Sequence, residues 1–100
     1  MVKVTWTRRA VEDIYEIREH YLVYSPRLAE EITNQIFEKE SFLSQYPKMG
    51  RVVPEFRDKN LREIIFRNYR IIYQLPTPDT LNILSIHPGQ RPLSKRSFLK

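Results

Sequence analysis

Apolar and polar residues alternate along Val2-Lys3-Val4-Thr5-Trp6, the period of a half-buried β-strand. The period then changes. Ala10, Ile14, Ile17 and Tyr21 recur at 4-3-4 spacing, which sets them on one face of a helix. Thr7 is placed to cap its first turn by accepting from a free amide. Glu12, Asp13 and Glu16 fall in the early turns, where the helix dipole favours anions. Ser25 and Pro26 suit the cap and first position of a second helix. That helix is expected from Pro26 to about Gln45, with Leu28, Ile32, Ile36 and Leu43 as its apolar stripe. The two form an αα-hairpin.

Tyr46-Pro47-Lys48-Met49-Gly50 ends the helical part in a loop. Arg51 to Phe56 is extended but interrupted by Pro54, so it reads as an edge or irregular strand. Leu61 to Phe66, Tyr69 to Leu75 and Leu81 to His87 are three consecutive strands. A tight turn at Arg67-Asn68 joins the first two, with asparagine expected to take the left-handed conformation. Pro76 to Asp79 is expected to form the second turn. The order is β-α-α-(β)-β-β-β, an α+β fold with the helical hairpin packed on a small, mainly antiparallel sheet. Strand alternation sets Arg70, Ile72 and Gln74 against Tyr69, Ile71 and Tyr73, and Arg62, Ile64 and Phe66 against Leu61, Glu63 and Ile65. Neither face is cleanly polar, so both bury something. Trp6, Tyr15, Tyr21, Phe37 and Tyr73 are assigned to core packing.

Composition narrows the function classes. One hundred residues make one domain, residues 1–100, of which 91–100 form a basic tail. The absence of cysteine excludes disulfides and thiolate metal sites. No apolar run approaches a membrane span, and the N-terminus lacks a signal-peptide core, so the expected setting is cytoplasmic with no membrane partner. The net charge of +5 is unevenly spread. Residues 1–50 carry seven Lys/Arg against eight Asp/Glu, a balance of −1; residues 51–100 carry ten against four, a balance of +6. The basic excess lies with the strands and suggests an acidic partner, whether nucleic acid or an Asp/Glu-rich protein segment.

Candidate chemistry concentrates in LREIIFRNYRIIYQL and ILSIHPGQR, where arginines are threaded between β-branched and aromatic residues. A guanidinium fixed on a rigid sheet suits phosphate or carboxylate recognition. Arg70 reads equally as such a group or as a structural ion pair across the sheet, with Glu63 as its partner. His87, at a strand end, is of interest because unperturbed histidine titrates close to neutrality, although a lone histidine beside a turn is more often a hydrogen-bonded structural residue. His20 is assigned to the helix surface. Two histidines with no supporting acidic motif imply no metal, and no cofactor motif is present.

Almost the whole chain resembles the RelE/ParE superfamily of toxins from type II toxin–antitoxin systems. The resemblance is carried, in order, by VTWTRRAVEDIYEIREHY, YPKMGRVVPEF, LREIIFRNYRIIYQL and ILSIHPGQR. It implies a growth-inhibiting toxin neutralised by a cognate antitoxin, with operator DNA contacted only indirectly through that antitoxin. Two mechanisms divide the superfamily. RelE-like members cut messenger RNA on the ribosome, and ParE-like members, familiar from plasmid stabilisation, poison DNA gyrase. For RNA cleavage the resemblance assigns Arg70, Arg62 and His87 as catalytic candidates. The basic position expected two residues beyond Arg62 is Ile64, and the tail offers Phe98 rather than a tyrosine. The ending His87-Pro88-Gly89-Gln90-Arg91 is similar to ParE-type endings, though Pro88 is an insertion. The resemblance therefore favours a gyrase inhibitor, in which Arg62, Arg70, Arg91, Lys95 and Arg96 contact target or antitoxin. The alternatives are a ribosome-dependent messenger RNA endonuclease, which would make the chain an enzyme, and a non-toxic homologue that only holds an antitoxin.

Overall fold

The computed structural model describes residues 1–90 and Leu93. The tail positions Arg91, Lys95 and Arg96 lie outside the described residues. The elements run β1 (Lys3–Trp6), α1 (Arg8–Leu22), α2 (Pro26–Gln45), β2 (Arg51–Val52), β3 (Leu61–Phe66), β4 (Tyr69–Thr77) and β5 (Thr80–Pro88). The five strands form one sheet in the order β1-β5-β4-β3-β2. All pairings are antiparallel except β1 with β5. The α+β architecture expected from the sequence is what is found.

Local chemistry sets both helices. The Thr7 hydroxyl accepts from the amide of Ala10 at 3.1 Å, and the Ser25 hydroxyl from that of Leu28 at 3.1 Å. Ala10, Ile14 and Ile17 of α1 meet Ile32, Ile36 and Leu43 of α2 over Ile71, Tyr73 and Ile86, a core closed to solvent on the helix side of the sheet. The other face carries a smaller cluster of Val53, Leu61, Ile72 and Leu93, so both faces do bury something.

Several expectations are corrected. The first turn of α1 contains no acid, because the helix starts at Arg8. Glu12 and Asp13 instead pair with Arg8 and Arg9 one turn earlier. Asp13 also accepts from the amide of Ile86 at 2.9 Å, and the Thr7 hydroxyl donates to Leu84 O at 2.9 Å. Together they close the edge of β5 beyond the end of the short β1. Burial raises the Asp13 carboxyl above the ordinary range, with Arg9 and the Ile86 amide acting against that rise. The β3–β4 turn places Arg67, not Asn68, at positive φ, 53°. The next turn is only Pro78-Asp79, since β4 continues to Thr77. Tyr15 and Phe37 are exposed rather than core. Trp6, half-buried, packs against Phe37 with the rings tilted by 59° and donates its indole N–H to Glu40.

A bulge re-phases β5. Ile72 pairs with Ser85 but Tyr73 with Ile83, leaving Leu84 outside the ladder. The extra residue lets Ile83 and Ile86, three apart, join the same helix-side core.

Candidate functional site

The register of the β3–β4 hairpin decides which arginines can cooperate. Phe66 pairs with Tyr69 across the two-residue turn, Ile65 with Arg70, and Arg62 with Tyr73. Paired residues share a face and successive residues alternate, so Arg62 and Arg70 point to opposite sides of the sheet. The structure does not bring them together. Arg62 lies on the helix side, where its guanidinium donates to Lys59 O at 3.0 Å and Gly50 O at 2.9 Å. Tyr73 works beside it. Its hydroxyl donates to Pro47 O at 2.8 Å and accepts from the Gly50 amide at 3.0 Å, and burial raises its pKa. The two side chains clamp the loop after α2. A Cβ on Gly50 would stand 2.6 Å from the Tyr73 hydroxyl and 2.5 Å from Glu63 O, so glycine is what permits this close approach.

Arg70 lies on the opposite face, 6% exposed, between two carboxylates. Its Nε donates to Glu63 at 2.6 Å, and its two terminal nitrogens grip Glu55 at 2.8 and 2.7 Å in a planar fork. Glu63 is itself buried, and its second oxygen accepts from Arg51 Nε. Glu55 sits on the turn after Pro54 and also accepts from the amide of Leu93 at 3.2 Å. Through the fork with Arg70, the Glu55 carboxyl falls from 4.5 to about 2, while the Arg70 guanidinium moves the other way, above its ordinary value. Two cations and two anions thus alternate in a neutral row, Arg51–Glu63–Arg70–Glu55, on this face. His87 is the cross-strand partner of Arg70 on β5. Of the catalytic candidates, the structure brings together Arg70 and His87 and leaves Arg62 apart.

A cleft of about 360 Å³ opens beside this row of ion pairs. Its walls include Arg51, Pro54, Glu55, Ile65, Asn68, Arg70, Gly89 and Gln90. Ile65, the partner of Arg70 on β3, is exposed. Arg67 contributes to the wall from the turn, but its guanidinium reaches back to Gln35 and lies over the Phe66 ring. Among the described residues, no group of three His, Asp or Glu side chains could hold a metal ion. No described helix is long and apolar enough to cross a membrane.

Sequence reasoning missed Arg51 and Glu55. The sequence shows only that acids are scarce, four in residues 51–100; that Glu55 and Glu63 converge on one arginine emerges from the fold.

Comparisons with known proteins agree with this architecture. The family described as ParE toxin of type II toxin-antitoxin system, parDE, matches residues 4–93. Among solved structures, one titled "Chromosomal ParDE TA system from P. aeruginosa" is similar at a TM-score of 0.74. It is 24% identical, and the match covers 90% of this chain and 98% of that one. No curated protein matches the sequence.

Proposed function

The chain belongs to the ParE toxin family of type II toxin–antitoxin systems, and on that footing we propose that it inhibits DNA gyrase and is neutralised by a cognate antitoxin. The observation that carries the choice of gyrase over messenger RNA is the state of Arg70. Cleaving RNA through its own 2′-hydroxyl requires cations aimed at the phosphate where negative charge develops. Here the central sheet arginine is already forked to Glu55 and bonded to Glu63, and a phosphate would have to displace the first and approach the second. Arg62 cannot assist from the far side of the sheet, and Ile64 on that same side adds no charge. Arg70 and Arg62 therefore serve better as binding or scaffold residues than as catalysts. Arg91, Lys95 and Arg96 remain proposed contacts to gyrase or antitoxin on the strength of their charge.

One observation favours the second reading, a ribosome-dependent endonuclease: His87 stands next to Arg70 across the ladder, where an acid or base would be wanted. Purified chain separates the two. Gyrase inhibition predicts lost supercoiling or trapped cleaved DNA, with intact message on translating ribosomes. Discrete cuts in the message that disappear with His87→Ala, alongside unaffected gyrase, would reverse the assignment.

A further inference from the structure

Arg70 is gripped on both sides, but its two carboxylates are unlike. Glu63 projects from the sheet, has a side chain closed to solvent, and is held by Arg51 as well. Glu55 comes from the turn following β2, and its side chain is 30% exposed. The cleft lies directly against it. Only the Glu55 side of the fork can be vacated without opening the sheet.

We propose that this cleft is an exchangeable carboxylate site: Glu55 is its resident occupant, and an Asp or Glu side chain from an acidic segment of the antitoxin takes its place on Arg70. The identity of the partner rests on the reading given under the proposed function; the exchange itself does not.

Three features select a carboxylate on a peptide. The terminal nitrogens of Arg70 present a planar fork already matched to two oxygens of one carboxylate. A singly charged planar group reproduces the resident state, whereas a phosphate would bring additional negative charge towards buried Glu63. The rim carries Arg51, whose side chain is 61% exposed, beside Pro54 and exposed Ile65. A cation next to an apolar wall suits an acidic residue with an apolar neighbour. A nucleic-acid backbone would leave Ile65 uncovered.

Exchange also has a consequence built into the hydrogen bonding. Glu55 holds the amide of Leu93, and Leu93 packs on the outer face cluster with Val53, Leu61 and Ile72. Drawing Glu55 off Arg70 loosens the point where the chain beyond Gln90 is fastened to the sheet. Occupancy of the cleft and the anchoring of Leu93 are thereby linked.

The test has two arms. In the first, Glu55→Ala and Glu55→Gln are melted in acetate, phosphate and chloride at equal ionic strength. Acetate is expected to raise the midpoint of Glu55→Ala by several degrees over chloride and to leave the wild type unmoved. Glu55→Gln, which keeps the shape of the side chain, shows a smaller rise and guards against a variant that fails to fold. No selective acetate effect in either variant overturns the site, and a phosphate effect exceeding acetate overturns the choice of carboxylate in favour of nucleic acid. In the second arm, the probe is the N-acetylated peptide Leu-Glu-Leu-Asp-Leu, titrated into wild-type chain while the Arg70 Nε–H resonance is followed. A shift of that resonance, with affinity reduced about two- to fivefold by Arg51→Gln, supports the peptide assignment. Acetate rescue without any peptide shift overturns that assignment. Failure of any antitoxin to neutralise the toxin is a separate result, seen in growth rather than in either arm.

Discussion

Replacing Arg70 should weaken the fold before it reveals anything about chemistry. Arg70→Met keeps roughly the bulk of the side chain and removes its charge. Glu63 then remains wholly buried with one partner, Arg51, whose own side chain is 61% exposed and correspondingly well hydrated. Removing one member of a buried ion pair costs about 3–5 kcal/mol, because the other charge stays desolvated. Loss of the Glu55 pairing adds about 1–2 kcal/mol at most, since its carboxylate can return to water. A domain of this size has a total stability of about 5–15 kcal/mol, so the single substitution takes a large share. With a urea slope of about 1–2 kcal/mol per molar, the midpoint should fall by roughly 1.5–5 M. The double variant Arg70→Met, Glu63→Leu removes both charges and should recover at least half of that loss, a coupling of about 2 kcal/mol or more. Urea unfolding of the wild type, both single variants and the double variant measures this directly. If Arg70→Met costs less than about 1 kcal/mol, or if the two substitutions simply add, the ion pair is not the keystone described here. The distinction bears on toxicity assays. A silent Arg70→Ala strain shows lost catalysis only if the variant protein is still folded.

Three further outcomes follow from the same geometry. Tyr73→Phe removes the two hydrogen bonds its hydroxyl makes to Pro47 and Gly50 and should cost about 1–3 kcal/mol in urea unfolding; an unchanged midpoint would mean that Arg62 alone holds the loop. Gly50→Ala pushes a methyl into Tyr73 and should destabilise by about 1–3 kcal/mol, with Tyr73→Phe in the same chain relieving part of that cost. Glu55 gives a pH signature. Its folded pKa is depressed, so its contribution is full above the unfolded value of 4.5 and disappears as pH falls through about 2. Allowing for its exposure, the wild type should exceed Glu55→Gln by about 1–2 kcal/mol at neutral pH, with the two curves meeting near pH 2. A gap that does not change with pH would refute the charge pairing.

The helices were legible because their signals are local. Thr7 and Ser25 cap the turns that begin one residue later, and the apolar spacing behind them is long and regular. The strands were legible in number but less so in their ends. Continuing β4 through Pro76 and Thr77 depends on its partner strand, which no local window contains. Arg67 takes the left-handed conformation because the two-residue loop imposes it on whichever residue lies there, against the intrinsic preference that pointed to Asn68. Tyr15 and Phe37 appear aromatic enough for a core, yet their helical phase lies off the stripe formed by Ile14 and Ile36. The opposition of Arg62 and Arg70 was within reach: alternation and a two-residue turn together determine it. The role of Glu55 was not, because it lies outside any regular element and meets Arg70 only once the chain has folded back over the sheet.

The parallel pairing of β1 with β5 also sets a clock. Lys3 pairs with Thr80, 77 positions later, so β1 is made long before the strand it pairs with. The hairpins β3–β4 and β4–β5 can close by short-range contacts, but the sheet edge formed by β1 awaits nearly the entire chain. Contacts of such long separation are slow to form. Until Thr80 and the residues after it have been made, β1 has no strand to pair with and this edge of the sheet stays unfinished.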